Sequence, residues 1–325
     1  MLTFTKAYIK SMRLYYSFIT GIAGFVGVAF YRHIAENFHT VEIIPSTLKT
    51  SVILAMLFLS WGINQIVNDY LGLKEDKINA PNRPMVTGEL NKNIALLVSI
   101  VLITTTALIT WFYLEKLALI PLFAGVILNV IYEYAKGYGI LGNIIFGLML
   151  TQCTIYGFLA SGPTSEPYFT SSRVSVLLII FALNAIMTFY TYFKDYKGDK
   201  LAGKNTIVVK FGLHKARYFA LAFSLVPASL FLFFYFGDFI VARANNVFLI
   251  LSLVAFFLQL WTGILYFRNP VGKEAYYSLS VNFRACCCSQ CALIALFNQE
   301  LAMVLFILSY VLVEFLFKLY SDTKA

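Results

Sequence analysis

Apolar runs long enough to cross a bilayer recur from one end of this chain to the other, and they leave little room for any other kind of fold. A membrane-crossing helix needs about 20 mostly apolar residues to span a hydrocarbon layer roughly 30 Å thick. Stretches of that kind fall at 15–31, 48–67, 94–113, 117–132, 141–161, 174–193, 218–236, 247–267, 278–297 and 301–319. The chain is 60% hydrophobic and 13% charged, where a soluble domain is about 45–50% apolar and about 25% charged. The runs predict an all-α fold, a polytopic transmembrane bundle of nine to ten helices. The count is ten if the run at 278–297 crosses, and nine if Asn282 and Arg284 near its start cut it short. Residues 1–325 are expected to form a single transmembrane domain, because no linker or low-complexity stretch divides them.

Basic residues orient the bundle. With the N-terminus on the cytoplasmic side, twenty of the 25 Lys and Arg residues fall in cytoplasmic connections, and only Arg32, Lys49, Lys116, Arg173 and Arg243 face the other way. That bias follows the positive-inside rule. It assigns most of the +9 net charge to orientation and to contact with anionic membrane lipids, with no nucleic-acid partner required. Met1–Met12 is mildly basic and lacks a small-residue cleavage site, so the first span is expected to stay as an anchor. Cys286, Cys287, Cys288 and Cys291 crowd one apolar run. They are expected to pack there as small side chains, since no second pair brackets a loop as a zinc site requires.

Acidic residues are scarce, sixteen in all, and two groups of them stand where a long apolar run ends. The first is Asn68-Asp69 with Asp76, followed by Arg83-Pro84. The second is Lys194-Asp195 with Asp199. Asn68 and Asp76 are eight residues apart and Asp195 and Asp199 four, so each pair shares one helix face. Hard oxygen ligands so placed suit Mg²⁺ carried by a phosphorylated substrate, because Mg²⁺ takes one or two carboxylates and completes its shell with phosphate oxygens and water. Arg83 offers a planar fork of donors to phosphate. Between the two groups, Tyr132 and Lys136 sit at another cytoplasmic hairpin, with Asn143 just inside the next span. Tyr132 is expected to donate to a departing diphosphate, Lys136 to neutralise it, and Asn143 to face the cavity. Polar connections at 72–92 and 194–215 carry the two acidic groups in equivalent places, which points to two pseudo-repeated halves around a central cavity roofed by those loops.

These residues resemble the UbiA superfamily of intramembrane prenyltransferases, whose motifs read N-D-x-x-D-x-x-x-D followed by R-P, then Y-x-x-x-K, then D-x-x-x-D. Asn68, Asp69, Asp76, Arg83 and Pro84 fit the first, Tyr132 and Lys136 the second, Asp195 and Asp199 the third. One position departs: Gly72 stands where the family carries the middle aspartate. The resemblance implies Mg²⁺-dependent ionisation of an allylic prenyl diphosphate and transfer of the isoprenyl group to a lipophilic or aromatic acceptor. The implied metal ligands are Asn68, Asp69, Asp76, Asp195 and Asp199. The diphosphate would be held by Asn68, Arg83, Tyr132, Lys136 and Lys194, and catalysis would rest on Asp76, Asp195, Asp199 and Lys136. Around Asp76–Pro84 the sequence leans toward members that prenylate geranylgeranylglyceryl phosphate, chlorophyllide or homogentisate. A minority of the superfamily cyclises the isoprenoid without an acceptor, and the altered first motif keeps that alternative open. A secondary transporter would place its ionisable groups at mid-membrane, and a scaffold would need no metal ligands.

Overall fold

Nearly every apolar run becomes a helix, and the residues before the runs say where each begins. The computed structural model describes residues 2–37, 44–240, 242, 244–272 and 274–320. Met1, Arg243, Lys273 and Lys324, which entered the sequence reading, lie outside them. In chain order the helices are α1 (Leu2–Met12), α2 (Ser17–Asn37), α3 (Thr47–Leu71), α4 (Leu73–Asn79), α5 (Pro84–Thr87), α6 (Lys92–Tyr113), α7 (Leu119–Ala135), α8 (Leu141–Ser161), α9 (Ser171–Leu201), α10 (Ile207–Phe223), α11 (Val226–Phe236), α12 (Asn246–Arg268), α13 (Glu274–Ile294) and α14 (Gln299–Leu319). Ser46, Asn91, Thr170, Asn245 and Asn298 each accept a backbone N–H of the following first turn. A side-chain oxygen at that place satisfies a donor the helix cannot.

Nine segments among the described residues are long and apolar enough to cross a membrane. A tenth long helix, α13, has 21 residues but falls short in hydropathy, and its burial explains how it persists. From Ser278 to Ile294 every residue except Ser289 is buried, because α2, α9, α12 and α14 pack around it. Asn282 donates to the Met187 carbonyl at 2.9 Å, and Arg284 pairs with Glu314 at 2.8 Å. Polar side chains deep in a membrane bundle need such protein partners. Cys286, Cys287, Cys288 and Cys291 are fully buried in the main apolar core. By contrast, α6 and α12 turn Leu97, Phe112, Ile250 and Phe257 outward, as lipid-facing helices do.

Three expectations need correction. The run at 218–236 is two helices, because Pro227 opens α11 and cannot donate within a continuing α10. The connections at 72–92 and 194–215 are mostly helical, not loops. α9 runs for 31 residues, several turns beyond what the hydrocarbon layer needs, and its protruding end carries the second acidic group. Asn143 does not face the polar cavity, since its amide donates to the Ala185 carbonyl at 3.1 Å and ties α8 to α9. Short parallel strands β1 (Tyr138–Gly139) and β2 (Asn205–Thr206) tie the α7–α8 connection to the α9–α10 connection at the acidic end.

Candidate active site

Gly72 separates α3 from α4 by name only. Its N–H donates to the Asn68 carbonyl at 2.8 Å, and the Asp76 N–H donates to the Gly72 carbonyl at 3.0 Å. Helical hydrogen bonding therefore continues across the junction and keeps residues 68, 72 and 76 on one stripe. Asp195 and Asp199 occupy the last turns of α9, and α4 lies against that end. The approach is closest at Gly198, where an added Cβ would stand 1.9 Å from Asn79 Oδ1. Only glycine admits this contact.

Between the two acidic helix ends is a polar cavity with about 860 Å³ of space, open to solvent. Asn68, Asp69, Asp76, Arg83, Tyr132, Lys136, Lys194, Asp195 and Asp199 all line it, so residues up to 131 positions apart in sequence face one space. Asp76 and Asp199 share this cavity. Arg83 pairs with Asp76 and, at 3.5 Å, with Asp69; Lys194 pairs with Asp195 at 3.4 Å. Tyr132 Oη and Thr188 Oγ1 are 3.4 Å apart. Burial pushes the Asp76 carboxyl above the usual carboxylate range, with Arg83 opposing and Asp69 adding to the push. For Lys136, burial alone would lower the ammonium, but Glu133, Tyr132 and Asp199 together more than offset it and the group stays protonated well beyond neutral pH.

Several lining residues escaped the sequence reading. Arg13, counted there only as a loop charge, sits at φ 50°, ψ 67°, a left-handed conformation a non-glycine residue adopts at a cost. The bend aims its guanidinium at Asp69. Asp69 also accepts from Gln65 at 2.9 Å, and Gln65 accepts from Trp61 at 3.0 Å, so α3 carries a relay of polar contacts at four-residue steps. Glu133 lies in the Tyr132–Lys136 segment; it pairs with Lys136 at 2.5 Å and with Lys204 at 3.0 Å. Lys204 reaches Glu75 as well, also at 3.0 Å. The available signal was the scarcity of acids: Glu75 and Glu133 stand directly beside motif residues.

A second cavity, apolar and with about 750 Å³ of space, is lined by Thr20 of α2 and by residues of α3, α6, α7 and α8, and shares the lining residue Trp61 with the first. Around that junction the aromatic rings meet. Tyr16 stacks on Trp61 at 4.7 Å, and Phe146 stands 5.3 Å from both Trp61 and Tyr132.

Metal fit can be judged from the donors. Among the described residues no three His, Cys, Asp or Glu side chains form a ready metal cage. Yet the buried Asn68 Oδ1 has no hydrogen-bond partner, and carboxylates from both acidic helix ends share its cavity. An oxygen-only set of this kind fits an ion that arrives with phosphate and supplies the rest of its shell from it.

A membrane helical bundle with acids and bases gathered in one cavity at its end, beside an apolar cavity, defines an intramembrane enzyme. The UbiA prenyltransferase family model matches residues 37–285, and the chain belongs to that family of prenyltransferases. A digeranylgeranylglyceryl phosphate synthase of Thermococcus sibiricus is 27% identical over 224 residues, 68% of this chain and 74% of that protein. Among solved structures, a UbiA homologue from Archaeoglobus fulgidus bound to DMAPP and Mg²⁺ aligns with TM-score 0.61 at 15% identity, covering 97% of this chain and 99% of the other. A structure described for digeranylgeranylglyceryl phosphate synthase aligns with TM-score 0.59 at 20% identity, covering 98% and 100%. At these identities the structural likeness speaks for the fold alone. Arg13 lies outside the matched residues.

Proposed function

We propose that this prenyltransferase moves an isoprenyl group from an allylic prenyl diphosphate to a prenylglyceryl phosphate, with Mg²⁺, and releases diphosphate. One observation carries the reading: the polar cavity holding both acidic helix ends and a neighbouring apolar cavity are both lined by Trp61. A substrate with a charged head and an isoprenoid tail would then place its breaking C–O bond at the aromatic junction. Mg²⁺, held through Asn68, Asp76, Asp195 and Asp199, supplies charge neutralisation at the leaving diphosphate.

The chain's own residues do the rest. Arg13, Arg83, Lys136 and Lys194 place fixed positive charge around the cavity, where it stabilises the diphosphate as it takes the electron pair of the C–O bond. In this reading Asp69 orients Arg13 and Arg83. The allylic cation left behind sits among Tyr16, Trp61, Tyr132 and Phe146, whose faces attract it and exclude water. The acceptor hydroxyl oxygen forms the new C–O bond, and its proton leaves toward the polar cavity. The acidic end faces the cytoplasm, because Lys10, Arg83, Lys136, Lys194 and Lys204 gather there whereas Lys49 and Arg173 stand at the far ends of α3 and α9. The acceptor class follows the family members this sequence leans toward and the names of the relatives it matches.

Purified protein given Mg²⁺, geranylgeranyl diphosphate and geranylgeranylglyceryl phosphate should yield the diprenylated ether lipid by mass spectrometry. Product with an aromatic acceptor in its place would redirect the acceptor. Acceptor-free terpene would mean cyclisation. No diphosphate release from any C10–C20 donor would end the enzyme reading.

A further inference from the structure

The stripe formed by residues 68, 72 and 76 has a gap at its centre. Asn68 and Asp76 present oxygens to the cavity, and Gly72 between them presents none. The gap is filled from another helix. A Cβ built on Gly72 would lie 3.1 Å from Glu133 Oε1 and 3.4 Å from its Cδ. Any carboxylate grown from position 72 would therefore compete with the Glu133 carboxylate for the same volume. Glu133 is 7% exposed, lines the polar cavity with Asn68, Asp76, Asp195 and Asp199, and comes from the end of α7, the segment that also supplies Tyr132 and Lys136. An independent mark of an incomplete site lies one turn away. Asn68 is 8% exposed, and its Oδ1 accepts from nothing.

We propose that Glu133 supplies across the cavity the carboxylate that Gly72 lacks, and is a ligand of the Mg²⁺–diphosphate in this chain. The inference rests on the prenyl-diphosphate reading above. Its plain competitor is that Glu133 only holds Lys136 and Lys204. Both lysines contact Oε1. When a diphosphate enters, its oxygens compete for the two ammonium groups, and the glutamate is released toward the metal the diphosphate brings. Glycine at 72 and glutamate at 133 are then two halves of one exchange: the acid moves from α3–α4 to α7, and the small residue makes room for it.

The two roles give opposite results without metal. Mn²⁺ serves as the spectroscopic probe in place of Mg²⁺, with inorganic diphosphate, on the full chain in detergent. In Glu133→Gln, bound Mn²⁺ read by electron paramagnetic resonance should need about tenfold to a hundredfold more metal. Metal-free diphosphate binding, measured by calorimetry in chelator, should hold or tighten, because one negative charge has left the cavity. Adding Gly72→Asp to Glu133→Gln should return Mn²⁺ affinity to within about threefold of the parent, whereas Gly72→Asp alone crowds two carboxylates and should weaken it. If Glu133→Gln does not fold, Glu133→Asp keeps the charge beside the lysines but draws the carboxylate back by one carbon, and should lose Mn²⁺ affinity while keeping diphosphate. Unchanged Mn²⁺ affinity in the Gln or Asp variant overturns the proposal. So does a parallel fall in metal-free diphosphate binding, which would make Glu133 a holder of lysines. A parent protein that takes up no Mn²⁺ with diphosphate would instead sink the metal reading itself.

Discussion

Asp69 is 2% exposed and faces two guanidinium groups, Arg13 and Arg83. Removing one partner from such a buried cluster strands the others, so Asp69→Ala should destabilise the protein by about 3 kcal/mol or more, read as a lowered thermal midpoint in detergent. Asp76, which also pairs with Arg83, and Asp199 come from the two acidic helix ends and line one cavity. Asp76→Ala and Asp199→Ala should each lower turnover about a hundredfold or more, the scale of removing one electrostatic group from a polar site. Steady-state rates at saturating Mg²⁺ check this, with melting curves near the parent separating it from the Asp69 case. Motif spacing made Asp69, Asp76 and Asp199 readable as acids in one site. It did not show that Asp69 is held between two arginines, because that depends on Arg13, fifty-six residues upstream of Asp69.

At the scale of elements, the site depends on α4 lying down against the end of α9. Gly198 permits that contact, and a side chain there must displace Asn79. Gly198→Val should raise the Mg²⁺ requirement and cut turnover by about tenfold or more. Adding Asn79→Ala should recover part of the loss, a coupling expected of residues in contact. Metal titrations of the parent, both single variants and the pair give the measurement. Spacing put 68–76 and 195–199 on helix faces, but hydropathy gave no sign of how far helix extends through the two connections, because those residues are polar and lie beyond the apolar runs. Hydropathy marks where lipid ends, and α9 continues past that boundary, where α4 packs against it.

For the whole molecule, both cavities are lined by Trp61, and under the proposed function the apolar one takes the isoprenoid tail, so its length is expected to set which donor fits. Gly125 lines it, and a Cβ added there would meet Gln152 Cβ at an ordinary contact distance of 3.7 Å. Gly125→Phe should lower kcat/KM for a C20 prenyl diphosphate about tenfold or more relative to a C10 donor, since filling a pocket penalises the longer chain first. Competition between the two donors, scored by product mass, tests it. Sequence alone determined that this chain is a bundle of membrane helices, which end of it carries the acids and bases, and which motif residues those are. Hydrophobic length and residue spacing are local properties, and a bilayer reads them directly. Tertiary structure alone decided that polar α13 is sheathed by four helices, that Arg13 and Glu133 enter the site, and that Trp61, out of 31 Phe, 21 Tyr and 3 Trp residues, lines both cavities. Those are contacts between distant segments, fixed only when helices pack and fill one another's gaps, as Glu133 does opposite Gly72.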